Sequence, residues 1–142
     1  MIDGAEFSGV WSSDLIRARE SARLAWGEAT ADSRLRECNF GDLEGCGYAE
    51  ADSNHGEVFR VFRGFQAPHG ESHAELRDRV HDFIGGLEPG RHLLVVHGGV
   101  IRVLTQDIGL DRFVPTGTLV GVDWIAHKVV FVRESGNTEE QS

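Results

Sequence analysis

Apolar residues follow two rhythms along this chain. Leu93 to Val96 is an unbroken apolar run, the pattern of a strand covered on both faces. His97, Gly98 and Gly99 follow, then Val100, Ile101, Leu104 and Ile108 at helical spacing, which predicts a strand turning sharply into a helix over 99–109. Upstream, Val10-Trp11 predicts a very short strand. Leu15, Ala18, Ala22, Ala25 and Trp26 then share one helical face, with Ser12-Ser13-Asp14 as N-cap candidates. Residues 29–47 lack periodicity and read as a long loop. In 48–65, Val58, Phe59, Val61, Phe62 and Phe65 predict a helical segment over the site. Ser72-x-x-Glu75 is a capping box, and the helix it opens places Leu76, Val80, Phe83, Ile84 and Leu87 on one face before Gly85-Gly86 and Pro89-Gly90 end it. Thr118–Ile125 and Lys128–Arg133, around Ala126-His127, predict an antiparallel hairpin.

Strands alternating with helices and closing on a hairpin predict the α/β class: a three-layer α/β/α domain with a mainly parallel sheet and a C-terminal antiparallel hairpin. The expected organisation is one domain over residues 1–133 and a frayed polar tail over 134–142. In such folds ligands bind beyond the carboxyl ends of the strands.

Composition narrows the function classes. The 142 residues carry 23 acidic and 14 basic side chains, a net charge of −9, which argues against general binding to nucleic acid or to a membrane surface. No apolar run is long enough to span a bilayer, and Met-Ile-Asp-Gly-Ala-Glu is no signal peptide. Cys38 and Cys46 suit a reduced cytoplasm and lack zinc-type spacing with a second pair. Neither a metal nor an organic cofactor is expected, because the candidate chemistry uses only histidine, arginine and a carboxyl group.

Three segments converge on the carboxyl edge. Gly98 and Gly99 open a helix whose N–H groups and dipole favour an anion, with the His97 imidazole beside them. Arg17 lies about one turn into its helix near the same edge. Glu37 or Glu44, on the long loop, qualifies as a general acid if burial raises its pKa. An arginine that grips oxygens, a histidine that stabilises charge and an acid that protonates a leaving oxygen suit phosphoryl chemistry.

These residues resemble a family. Ser12-Ser13-Asp14-Leu15-x-Arg17-Ala18-x-x-Ser21-Ala22 is similar to the "SSDLxRAxxTA" segment of the histidine phosphatase superfamily, the phosphoglycerate-mutase-like proteins. Leu35-x-Glu37, Phe40-Gly41 and Glu44-Gly45 resemble its "LxE…FG…EG" loop, Gly70-Glu71-Ser72 its "GES" helix start, and Val96-His97-Gly98-Gly99 its second histidine motif. The resemblance implies that Arg17, with Gly98 and Gly99, binds the phosphoryl group, Glu37 donates the proton and His97 stabilises the transferring group. The ligand would be a small phosphorylated metabolite or inorganic phosphate.

One departure is large. The family's nucleophilic histidine stands in an Arg-His-Gly at the end of a first strand, and this sequence contains no Arg-His-Gly. Two expectations follow. Either the gene encodes a phosphatase or mutase whose front was lost or whose start was assigned too late, or the chain is a non-catalytic phosphate-binding or interaction module descended from such an enzyme. Since the family's first strand lies beside the strand at Leu93–Val96, that strand is expected at a new sheet edge or re-paired with Val10-Trp11. The exposed edge would favour homo-oligomers or poor solubility.

Overall fold

The computed structural model describes residues 6–44 and 56–134. Its centre is β1 (Gly9–Ser13), the only one of these strands paired on both sides among the described residues. On one side β1 runs parallel to β2 (Thr30–Asp32), with Trp11 opposite Thr30 and Ser13 opposite Asp32. On the other it runs parallel to β3 (His92–Val95), with Gly9 opposite His92 and Ser12 opposite Val95. Both predicted strands are thus present, each shifted or extended by a residue or two. β2 was not anticipated: a three-residue edge strand reading Thr-Ala-Asp buries too little for an apolar pattern to mark it.

The connections dictate the layers. From β1 the chain steps outward to β2 through α1 (Ile16–Ala25), then back across β1 to β3 through α3 (His73–Gly85). Two right-handed crossovers in opposite directions put their helices on opposite faces of the sheet. Accordingly, Ala18 and Ala22 of α1 are buried, while Trp11 sits edge-on to Phe83 of α3 at 5.4 Å. The capping box that opens α3 is complete: Ser72 Oγ accepts from Glu75 N and Glu75 Oε1 accepts from Ser72 N. At α1 the expected polar cap is not used. Leu15 is the cap residue, because Ser13 Oγ accepts from Leu15 N–H outside the helix and Asp14 is gripped by Arg36.

Two further helices complete the core on the α3 face. The short α2 (Gly56–Val61) falls within the predicted helical segment, of which residues 48–55 lie outside the described residues. α4 (Gly98–Thr105) begins where expected but stops short of 109, since the chain turns at Gly109 (φ +111°) and Leu110 N–H bonds back to Thr105 O. Val58, Phe62, Phe65, Leu76, Val80, Val100 and Val103 pack together with Cys38, a free thiol. Arg102 penetrates this core with its side chain only 5% exposed. Its Nη1 and Nη2 donate to the carbonyls of Phe59 and Arg60 near the end of α2 at 2.7 Å each, and its Nε donates to Asp111.

The hairpin of β4 (Leu119–Asp123) and β5 (Lys128–Arg133) forms as predicted, but as a separate two-stranded sheet. The second side of β3 therefore has no strand partner among the described residues, and Ile125, Val130 and Phe131 of the hairpin are exposed. The expected pairing with Val10-Trp11 occurs, and among the described residues the other side of β3 is a sheet edge. Only the first residue of the 134–142 tail is described. Among the described residues no helix is long and apolar enough to cross a membrane.

Candidate functional site

The sharp turn from β3 into α4 builds the site. His97 is the N-cap residue of α4, 8% exposed, and its Nε2 makes no hydrogen bond among the described residues. Burial depresses its pKa from 6.5 to about 4, the positive charges of Arg17 and Arg79 push the same way, and Asp14 opposes them. In a site holding no anion at neutral pH, His97 is therefore an uncharged imidazole.

Glu37 reaches this turn from the loop after β2. Its Oε2 accepts Gly99 N–H at 3.1 Å and its Oε1 accepts Cys38 N–H at 2.8 Å. A Cβ at position 99 would collide with Glu37 Oε1 and stand 3.1 Å from Phe62, so only glycine lets the carboxyl group reach the helix start. Burial raises the Glu37 pKa; the amides of Cys38 and Gly99 and the charges of Arg17 and Arg79 oppose it without reversing it. Glu44, the alternative acid, is exposed and accepts Phe40 N–H instead.

Arg17 is exposed on the first turn of α1, and nothing pairs with it among the described residues. Its charge acts on both Glu37 and His97, which brings the three predicted side chains into one electrostatic site. Asp14 and Arg36 close the rim with a two-pronged bridge at 2.7 and 2.9 Å. Gly98 packs beneath Phe113, where an added Cβ would meet the ring at 3.3 Å. No group of His, Cys, Asp and Glu among the described residues could hold a metal ion.

The loops that carry these residues meet backbone to backbone. Gly41 (φ +55°) could not carry a Cβ without striking the Pro68 carbonyl, nor Gly70 without meeting Asn39 O at 2.5 Å and Gly41 N at 2.6 Å. Asp42 N–H donates to Pro68 O, and Glu71 N–H donates to Asn39 O.

Two grooves open elsewhere. One of about 390 Å³ lies between Phe7–Val10 and Glu28–Thr30. Another, of about 500 Å³, runs beside α1 past Ser12, Ile16 and Arg19. Neither is lined by Arg17, Glu37 or His97. A small oxyanion is recognised by converging donors rather than by hollow volume, so the chemistry marks the site better than the shape does.

Comparison with known proteins bears on the family and the fold. The model of the histidine phosphatase superfamily (branch 1) matches residues 1–122. The chain is 36% identical over 115 residues to phosphoglycerate mutase-like protein 4 of Arabidopsis thaliana, covering 71% of this chain and 50% of that one. It is 32% identical over 136 residues to glucosyl-3-phosphoglycerate phosphatase of Mycolicibacterium vanbaalenii, covering 80% and 60%. It thus spans only half to three fifths of the length of these relatives. The crystal structure of TTHB049 from Thermus thermophilus superposes with a TM-score of 0.83 at 37% identity, over 92% of this chain and 76% of that one. A match over most of the chain, on the same fold, makes this protein a member of the histidine phosphatase superfamily.

Proposed function

We propose that these residues form the phosphate-binding and proton-donating part of a phosphomonoesterase or phosphomutase site, whose nucleophile comes from outside the 142 residues. The observation that carries the reading is the meeting of Glu37 with the amide at the start of α4, beside a buried, unpartnered His97 and under the unpaired charge of Arg17. An incoming phosphoryl group would be held by Arg17 and the α4 amides, with His97 donating to its oxygens. As the P–O bond to the leaving alcohol breaks, the Glu37 proton passes to the departing oxygen, and the burial that raises its pKa keeps that proton available. The phosphoryl group is by then bonded to the nucleophile; in a hydrolase the Glu37 carboxylate takes a proton from the water that attacks phosphorus, and the bond to the nucleophile breaks to release inorganic phosphate.

Of the described histidines, only His97 follows a strand and precedes glycine. Covalent transfer needs a nucleophile in line with the leaving group, and none of the other described histidines stands at the carboxyl end of a strand. The ligand class is a small phosphorylated metabolite or inorganic phosphate, and a compartment that keeps Cys38 reduced, such as the cytoplasm, suits the chain. Titration calorimetry with orthovanadate tests the reading. Binding should be detectable in the wild type and lost in Arg17→Ala and His97→Ala, but retained in Glu44→Gln. An affinity unchanged by Arg17→Ala would refute the site.

A further inference from the structure

Arg79, on the second turn of α3, directs all of its donors behind Glu37. Its Nη1 donates to the carbonyls of Arg34 and Arg36 at 2.8 Å each, and its Nη2 to the carbonyl of Glu37 at 3.1 Å. The remaining N–H groups, on Nε and Nη2, grip Glu71 at 2.6 and 3.0 Å. Glu71 Oε1 also accepts Asn39 N–H at 3.0 Å, so the pair binds the loop on both sides of the acid. Both side chains are largely buried, at 22% and 16% exposure. Burial works against ionising Glu71, yet the bonds from Arg79 and the Asn39 amide hold its pKa below the ordinary value, so the pair stays charged.

We propose that Arg79 and Glu71 are the positioning residues for Glu37, fixing its backbone so that its carboxyl group lands on the Gly99 amide. A planar guanidinium can satisfy acceptors converging from three directions, whereas an ammonium offers the same charge without the fork. Without the clamp the loop carbonyls turn to water, and the carboxyl group loses the geometry that puts one oxygen on Cys38 N and the other on Gly99 N. This inference takes its functional meaning from the reading of Glu37 as the acid, but its test needs no turnover.

Position and charge predict opposite signs. The charged groups facing Glu37 are Arg17 from α1, Arg79 from α3, and His97, itself titratable, from the β3–α4 turn; Glu71 lies behind. If Arg79 acted only through its charge, removing it would raise the Glu37 pKa further. If it positions Glu37, its loss frees the carboxyl group into solvent, and the pKa falls back toward the ordinary glutamate value. The experiment follows the backbone amide resonances of Gly99 and Cys38 by ¹H–¹⁵N NMR against pH in the full chain, since both report the Glu37 carboxylate. In Arg79→Lys, which keeps the charge, the midpoint should fall and the pH-dependent shift of Gly99 should shrink several-fold. Glu71→Gln loosens the clamp from its other end and serves where an Arg79 variant does not fold; loss of its negative charge lowers the midpoint by itself, so there the reading is the pH-dependent shift of Gly99, which should shrink several-fold. A midpoint that stays at the wild-type value or rises in Arg79→Lys, or a Gly99 shift undiminished in both variants, would overturn the proposal. A chain that binds no vanadate but shows these shifts would instead refute the phosphate reading and leave the clamp intact.

Discussion

Arg102→Met should cost this domain a large part of its stability. The guanidinium it removes makes two 2.7 Å bonds to the carbonyls that end α2, and its carbon centre lies 5.5 Å from the Phe62 ring and 4.9 Å from the Phe113 ring. A hydrogen bond to a charged donor contributes about 1.5–3 kcal/mol, and the two carbonyls would be left without it in a largely dry setting. Each aromatic face adds roughly 0.5–1 kcal/mol. The bond to Asp111 counts for less, about 1 kcal/mol at most, because that carboxylate is 40% exposed and screened. Methionine fills much of the same volume and returns some apolar contact, which brings the expected loss to about 3–5 kcal/mol. Against a total of about 5–15 kcal/mol, that shift is easily read as a lower urea midpoint at unchanged slope. Arg102→Lys, which keeps one donor direction, should fall between methionine and wild type. Amides of α2 should lose hydrogen-exchange protection before those of α3. A loss below about 1 kcal/mol for Arg102→Met would refute the reasoning and mean that α2 is held by its apolar side chains alone.

Three further outcomes are expected. His97 has a folded pKa near 4 against 6.5, so the stability its burial confers is complete above pH 6.5 and is lost as the pH falls toward 4. At about 1.4 kcal/mol per unit this is a difference of at most about 3 kcal/mol, seen as a shallower acid destabilisation in His97→Gln than in wild type by urea melts at several pH values. The 142-residue chain alone should turn over p-nitrophenyl phosphate negligibly, and robust metal-independent turnover that vanishes in His97→Ala would show that His97 has become the nucleophile. Light scattering should find the chain oligomeric or aggregating through the exposed hairpin and the side of β3 that has no strand partner among the described residues, and a stable cooperative monomer would show that the edge protects itself.

Local rules carried part of this structure in plain view. The capping box at Ser72 and Glu75, the strand-to-helix turn at His97, and the hairpin are written in neighbouring residues, and the motifs order Arg17, Glu37 and His97 along the chain. Other features obey no local rule. β2 is too short and too exposed to impose an alternating pattern. The start of α1 slipped past Ser12-Ser13-Asp14 because Arg36, 22 positions away from Asp14, claims the carboxylate that would have capped it. Arg79 and Arg102 look like ordinary helix-surface arginines, since their acceptors are main-chain carbonyls some 40 residues distant, and carbonyls leave no trace in side-chain identity. A polar residue on the face that Leu76, Val80 and Phe83 define would have been the signal to look for.

The seam between Gly41 and Gly70 turns two distant positions into a single genetic locus. Each glycine is required by the backbone of the other's loop, so a methyl group at either position pushes the same two segments apart. Once one alanine has opened the seam, the second meets space already made, and the pair should be far less damaging together than their separate effects imply. Selection acting on this protein would therefore see the two sites as linked, though unequally: a change at Gly41 eases one at Gly70, whereas Gly41, at φ +55°, stays strained for any side chain even in an opened seam. The loop that carries Glu37 and the cap of α3 are thereby coupled through their main chains, not through any side chain.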